Sequence, residues 1–134
     1  MEEIYFPHRT KGVLQYDPKI GTKHFDPHWC LINCDNQIIN LYSWFLKNKL
    51  GIILEKNKLW NAHISVIKGE KPLFEEMWAI NDGQEVEYWY SNIIRFDNGK
   101  HAWLDVFSPD MSKIRESIGL RPKCFFHLTL GRIR

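Results

Sequence analysis

The chain has few cysteines and no long apolar segment. Its three cysteines, Cys30, Cys34 and Cys124, are odd in number and lack the C-x-x-C spacing of a zinc or redox pair, so they indicate small buried side chains in a reducing compartment. No stretch approaches the roughly 20 apolar residues that a transmembrane helix needs. The acidic start MEEIY is not typical of a signal peptide. These absences predict a soluble, cytoplasmic protein with no membrane partner.

The net charge is also small, and the sequence has no flexible linker. A formal net charge of +2 at pH 7 is too small to favour sequence-independent binding of duplex DNA. The 134 residues contain no repeat, no low-complexity run and no linker rich in Gly, Ser or Pro, which predicts a single domain over residues 1–134. Aromatic residues, by contrast, are abundant, with 6 Trp, 5 Tyr and 8 Phe. This excess predicts an aromatic core, a ligand surface, or both.

Strand-like patterns outnumber helix-like ones. After an irregular opening at residues 6–10, extended segments are predicted at residues 11–16, 29–34, 52–54, 59–67, 85–90, 92–96, 101–107 and 124–130. Capping signals at Asp35 and Ser108 begin two predicted helices, which end at Gly51 and Gly119. Most of the connecting loops have hairpin length, with a turn at residues 97–100. The pattern therefore favours an α+β domain with largely antiparallel sheet and two main helices.

Two short motifs carry the chemistry, H-I-S-V over residues 63–66 and H-L-T-L over residues 127–130. Because side chains alternate along a strand, His63 shares a face with Ser65, and His127 shares a face with Thr129. Hydrolysis of a phosphodiester needs a base for water, an acid for the leaving oxygen and donors for the phosphate. Imidazole titrates near neutral pH, so the two histidines are the predicted catalytic pair. The two hydroxyls are the predicted phosphate-binding groups.

The paired motifs resemble those of the two-histidine phosphoesterase superfamily, which carries one H-x-[S/T]-hydrophobic motif in each lobe of a pseudo-symmetric α+β fold. The flanking sequence, residues 59–72 and 114–132, is similar to the branch named for "Swiss Army knife" RNA repair, many of whose small members occur in bacteriophages. The resemblance covers about residues 11–132. It implies a bilobal fold of mostly antiparallel sheets flanked by two main helices, and a host-cytoplasmic location if the chain is phage-encoded.

The same resemblance implies an activity. It implies a metal-independent phosphodiesterase without cofactors, whose substrate is a cyclic nucleotide, a cyclic oligonucleotide of antiphage signalling or a 2′,3′-cyclic phosphate at an RNA end. These substrates share a phosphodiester and differ in what surrounds it, so the motifs indicate the reaction and leave the molecule open.

Cations and aromatic residues supply candidate substrate contacts. Lys68 and Arg132 follow Ser65 and Thr129 by three residues, close enough to add positive charge near a phosphate. Further candidates are the basic residues just before or at the first strand, Arg9 and Lys11. The aromatic residues of a predicted base-stacking wall are Tyr16, Trp29, Tyr88, Trp89, Tyr90 and Trp103.

The same residues allow two other interpretations. A non-catalytic module that binds or sequesters nucleotides would keep the hydroxyls, cations and aromatic residues, with the histidines serving only as donors. Ligation of RNA ends is disfavoured because the chain has no nucleotidyl-transfer lysine motif.

His24 and His28, on either side of Asp26, mimic a pair of metal ligands, but no carboxylate-rich set or H-E-x-x-H helix accompanies them. The sequence leaves open the oligomeric state and which of the two histidines is the general acid.

Overall fold

The computed structural model describes residues 5–20, 23–24, 27–55, 61–98 and 100–134. Its strands are β1 (His8–Tyr16), β2 (Lys19–Ile20), β3 (Lys23–His24), β4 (Cys30–Asn33), β5 (Leu54–Glu55), β6 (His63–Ile67), β7 (Glu85–Asp97), β8 (His101–Phe107) and β9 (Phe125–Ile133). Its α-helices are α1 (Asn36–Phe45), which continues as a π-helical turn over Leu46–Leu50, and α2 (Pro109–Ser117). A short 3₁₀ turn occupies Glu75–Met77. None of the helices described is long and apolar enough to cross a membrane.

Six of the strands form a closed antiparallel barrel. Around the ring the order is β9, β6, β4, β1, β7 and β8, and the ring closes because β8 also pairs with β9. β5 pairs with the end of β9, while β2 and β3 form a separate two-stranded sheet. The prediction of an α+β fold with largely antiparallel sheet is thus confirmed. Ring closure makes β6 and β9 neighbours although they are far apart in the sequence.

Strand alternation separates the core from the polar face on the two motif strands. On β6, Ile64 and Val66 are buried, whereas His63 and Ser65 are half-buried on the opposite face. Along β9 the even-numbered positions of residues 126–130 are buried and the odd-numbered ones are exposed. One hydrophobic cluster contains buried side chains from each of the six barrel strands and from both helices. The apolar residues of each motif therefore anchor its strand, and the polar residues lie on the other side.

Both helices begin and end at the predicted capping residues. The Asp35 carboxylate accepts a hydrogen bond from the amide two residues on, at 2.9 Å, and the Ser108 hydroxyl accepts one from the amide three residues on, at 3.3 Å. Gly51 and Gly119 follow the helix ends with φ angles of 66° and 83°, a conformation that costs glycine little because it has no Cβ. The structure differs from the prediction over Leu46–Leu50, where the helix changes from α to π geometry, and in the second helix, which was expected at about residues 111–118 and spans Pro109–Ser117.

The structure lengthens some predicted strands and merges two of them. Residues 8–10, predicted to be irregular, belong to β1 because they pair with β7. The two strands predicted at residues 85–90 and 92–96 are the single strand β7, whose register against β8 shifts between Tyr90 and Ile94. Such an irregularity bends a strand without ending it. Residues 59 and 60, the start of a predicted strand, and residue 99, in the predicted turn, lie outside the described residues.

Gly12 on β1 marks a close approach between β1 and β4. A Cβ at this position would overlap the Ile32 side chain and lie 2.5 Å from the Asn33 carbonyl oxygen. Because that backbone oxygen cannot shift without disturbing the pairing of β4, Gly12→Ala is expected to lower the free energy of unfolding by about 1 to 3 kcal/mol. Urea unfolding followed by tryptophan fluorescence measures the loss. Val13→Ala, at an exposed neighbouring position, is the control, and equal midpoints for the two variants would contradict the expectation.

Candidate active site

Both histidine motifs line one cleft. Its volume is about 310 Å³, and the residues around it are His63, Ser65, Val66, Lys68, Glu70, Lys123, His127 and Thr129. β6 and β9 pair antiparallel through the second residue of each motif. In this register each histidine lies across from the hydroxyl residue of the other motif. The two predicted catalytic residues and the two predicted phosphate-binding residues are therefore brought to the same place by the closure of the sheet.

The ring of His63 is oriented by the backbone. Its Nδ1 is 2.9 Å from the Asn61 carbonyl oxygen. A carbonyl only accepts, so Nδ1 carries the proton and the lone pair of the neutral ring is on Nε2. Burial lowers the pKa of His63 from its ordinary value of 6.5; the hydrogen bond to Asn61 opposes this shift and the charge of Lys68 adds to it. The environment of His63 therefore favours the neutral imidazole.

His127 is more exposed, and its neighbours come from β8. Its side chain is 64% exposed, and Asp105 is its direct partner in the β8–β9 register. Asp105 Oδ1 lies 3.9 Å from His127 Nε2, and the Trp103 ring is centred 5.3 Å from the His127 ring. Asp105 is itself held, because it accepts a hydrogen bond from Trp103 Nε1 at 3.1 Å and lies 3.5 Å from Arg95 Nη1. β8 thus gives His127 a carboxylate neighbour of defined position.

Two hydroxyls and two lysines complete the polar surface of the cleft. Trp29 Nε1 donates a hydrogen bond to Ser65 Oγ at 3.0 Å, so the serine hydroxyl accepts from the indole while its own proton can be donated elsewhere. Thr129 is exposed on the same side of the sheet. The Lys68 ammonium lies 4.7 Å from the centre of the Trp29 ring. Lys123 lines the cleft from the side of the second motif, just before β9. The cleft therefore combines hydrogen-bond donors with positive charge.

A buried arginine holds one wall of the cleft. Arg115 of α2 is 4% exposed and donates two hydrogen bonds to the Glu70 carboxylate, at 2.7 and 2.8 Å. It also donates to the carbonyl oxygens of Val66 and Arg121, at 3.0 and 2.9 Å. The hydrogen bond from Arg115 is the main reason why the pKa of Glu70 is lowered. Arg115 therefore attaches α2 to the segment that follows the first motif.

The predicted substrate contacts divide between the cleft and other parts of the surface. Lys68 lines the cleft, Trp29 lies against Ser65, and Trp103 lies beside His127. Arg132 is not among the lining residues. The irregularity between Ala102 and Trp103 in the β8–β9 register nevertheless puts Arg132 on the same face as Thr129, further along β9 toward β5.

Arg9, Lys11 and Tyr16 do not belong to the cleft. All three lie on β1, which is separated from β6 by β4 and from β9 by β7 and β8. Arg9 forms an ion pair with Glu87 at 2.6 Å, and Lys11 lies opposite Glu87 on the neighbouring strand. Tyr16 is 6% exposed and packs against Trp78, so this residue belongs to the core and is not a stacking surface. Tyr88 is buried in the core as well, and neither Trp89 nor Tyr90 is among the residues that line the cleft.

Asp105, Glu70 and Lys123 adjoin or line the cleft without having been predicted. For Asp105 a signal exists, because a carboxylate within the apolar alternation of residues 101–107 must lie on the polar face of its strand. Glu70 and Lys123 lie in connecting segments, which have no periodicity to indicate a direction. Only the path of the chain brings these two residues to the motifs.

The cysteines and the remaining histidines form no metal site in the part of the chain that the structure describes, where no group of three or more His, Cys, Asp or Glu is arranged to hold an ion. All three cysteines are free thiols, and burial raises the pKa of Cys30 and of Cys34 to about 12. His28 packs edge-on against Trp78, with ring centres 5.4 Å apart. Asp26 and the side chain of His24 lie outside the described residues.

The chain matches no protein-family model, no curated protein and no solved structure. Its chemistry is therefore inferred from the cleft itself. That cleft holds two imidazoles in different surroundings, two hydroxyl donors and two lysines, a set that can bind a phosphate and move protons on both sides of it.

Proposed function

We propose that the protein is a metal-independent phosphodiesterase of the two-histidine type, the superfamily that its paired motifs resemble. The observation that carries this proposal is that His63, Ser65, His127 and Thr129 line one cleft, although the two motifs belong to distant parts of the chain. The proposal includes the bilobal, pseudo-symmetric arrangement of that superfamily. Its support is the local two-fold relation between the motifs across the β6–β9 pair.

The reaction needs only groups that line the cleft. The hydroxyls of Ser65 and Thr129 donate to the non-bridging phosphate oxygens, and the lysines balance the negative charge. One histidine takes a proton from water as the water oxygen bonds to phosphorus. The bond from phosphorus to the sugar oxygen breaks, and the other histidine gives that oxygen a proton. With a cyclic substrate the ring opens, and one product carries both the phosphomonoester and the freed hydroxyl. The histidines regain their starting states through solvent.

The proposed substrate is a cyclic nucleotide, a cyclic oligonucleotide of antiphage signalling or a 2′,3′-cyclic phosphate at an RNA end. A cleft of about 310 Å³ is at the small end of ligand sites and suits a group of mononucleotide size. The aromatic surface of Trp103 beside His127 offers a place for a base to stack. These features favour a single nucleotide unit at the scissile phosphate.

Turnover in the presence of EDTA tests the proposal. The protein is incubated with excess EDTA and a panel of 2′,3′-cyclic nucleotides, 3′,5′-cyclic di- and trinucleotides and ADP-ribose cyclic phosphate. We expect hydrolysis of at least one compound at a rate that EDTA leaves unchanged, because both proton transfers are assigned to imidazoles. Binding without product would indicate the alternative, a nucleotide-binding or sequestering module. Neither binding nor product with any compound would overturn both.

A further inference from the structure

The two histidines of the cleft have unequal surroundings. We infer that His63 is the general base, that His127 is the general acid, and that Asp105 is a positioning residue for His127; this assignment rests on the proposed function. The inequality comes from the strands on either side. Trp29, just before β4, and Asn61, two residues before β6, surround His63 with an indole and a carbonyl, whereas β8 gives His127 a carboxylate.

The groups around His63 suit a base, which must begin neutral. The Asn61 carbonyl oxygen can accept only from Nδ1–H, so the lone pair that takes a proton is on Nε2. The Trp29 ring lies edge-on at 5.7 Å between centres and shields one side of the imidazole from water. The ammonium of Lys68, which packs on the same indole, disfavours a second positive charge nearby. The lowered pKa of His63 agrees with this geometry.

The groups around His127 suit an acid, which must begin protonated. An imidazolium has two N–H groups, and Nε2 is the one that faces Asp105 Oδ1, at 3.9 Å. That distance is longer than a hydrogen bond, as is common for catalytic contacts before substrate binds. Nδ1–H is then the group that gives its proton to the leaving oxygen. The ring ends neutral, with its remaining proton on Nε2 toward Asp105.

Asp105 is placed for this role by its neighbours on two strands. Trp103 Nε1 holds Oδ1 at 3.1 Å, and Arg95 of β7 lies 3.5 Å from Oδ2. The other charged or titratable groups that line the cleft with His127 are His63, Lys68, Glu70 and Lys123. Among the described cleft residues and their partners, Asp105 is the carboxylate nearest to either catalytic imidazole.

The assignment also orients the substrate. If the acid is His127, the departing oxygen lies on the β8 side of the phosphate, beside Trp103. The attacking water then lies on the β4 side, next to His63 and Trp29. In-line displacement requires these two oxygens to be on opposite sides of phosphorus. The structure thus directs the departing alcohol, and any base attached to it, toward Trp103.

Dependence on the leaving group tests the assignment. Rates are compared for two esters of one nucleoside phosphate, one with an alcohol as leaving group and one with 4-nitrophenol, which departs without a proton. With the alcohol ester, His127→Ala is expected to lose roughly 10²- to 10⁴-fold, and with the nitrophenyl ester less than about tenfold. His63→Ala is expected to lose a similar factor with both esters, because water needs a base in either case. Asp105→Asn is expected to lose roughly two- to fivefold with the alcohol ester only.

The variants are matched to separate chemistry from folding. Asp105→Asn keeps a side-chain oxygen that accepts from Trp103 and removes only the negative charge. Glu85→Gln, at an exposed position on β7, is the control for loss of a carboxylate. His63→Gln replaces the alanine variant if the latter does not fold. If the His63 variant hydrolysed the nitrophenyl ester at nearly the unaltered rate, the two histidine roles would be reversed. If Asp105→Asn lowered the rate equally with both esters, Asp105 would have only a structural role. No turnover of any compound of the EDTA panel by the unaltered protein would instead remove the proposed function.

Discussion

Replacing either His63 or His127 by alanine is expected to lower kcat by roughly 10² to 10⁴, the usual share of general acid or base catalysis. The loss falls on kcat because each imidazole moves a proton in the transition state, whereas the phosphate is held by the hydroxyls and lysines that line the cleft. Initial rates over a range of concentrations, with whichever panel compound the protein hydrolyses, separate kcat from KM. Removing both histidines is expected to cost little more than removing one, because the two act as a unit.

His8→Ala is the matched control for these variants. His8 is an exposed histidine on β1 that stacks on Tyr90, with ring centres 4.8 Å apart, and it is not among the residues that line the cleft. Its replacement is expected to leave kcat within about twofold, since surface substitutions rarely reach further. A His127→Ala variant that unfolds at the same temperature as the unaltered protein and retains its rate would exclude the two-histidine mechanism.

Replacing Arg115 by methionine is expected to lower the free energy of unfolding by about 2 to 4 kcal/mol. Methionine fills most of the buried volume but donates to none of the three acceptors that Arg115 now satisfies: the Glu70 carboxylate and the carbonyl oxygens of Val66 and Arg121. The loss is smaller than for a fully buried ion pair because the Glu70 side chain is 47% exposed and regains water. Urea unfolding at pH 7 measures it, and an unchanged midpoint would contradict the assigned role.

Glu70→Gln separates the charge of this pair from its packing and has a defined pH dependence. The pKa of Glu70 is lower in the folded protein than its ordinary value of 4.5, chiefly because of the Arg115 hydrogen bond. A carboxyl with a lowered folded pKa contributes stability that is present above the unfolded pKa and is lost as the pH falls through the folded one. The stability difference between the unaltered protein and Glu70→Gln should therefore be present at pH 7 and shrink below about pH 4.5. A difference that is the same at both pH values would argue against the ion pair.

Local patterns in the sequence predicted the parts of the fold that depend on near neighbours. The capping side chains of Asp35 and Ser108 bond to amides two and three residues away, so the helix starts can be recognised without knowing the fold. The faces of β6 and β9 follow in the same way, since alternation is a property of each strand alone. The prediction of two strands in place of β7 was wrong because a bulge interrupts the alternation without interrupting the strand.

The substrate contacts were harder to predict because they depend on which strands become neighbours. Lys68 lies three residues after Ser65 and reaches the cleft, whereas Arg132, at the same spacing after Thr129, does not. Arg9 instead forms an ion pair with Glu87, because β1 pairs with β7. Tyr16 has the same alternation as the core positions of β1 and is buried. Equal spacing along the chain therefore does not imply equal position in a closed sheet.

The sequence by itself determined the two motifs, the face that each presents and the pairing of an imidazole with a hydroxyl on that face. These follow from the two-residue period of a strand, which no distant residue changes. The tertiary structure decided that the motifs share one cleft, that Asp105 lies beside His127 and the Asn61 carbonyl beside His63, and that Arg115 holds the wall next to them. The reason is ring closure: β9 pairs with both β6 and β8, and hydrogen bonding between strands distant in sequence brings these groups together.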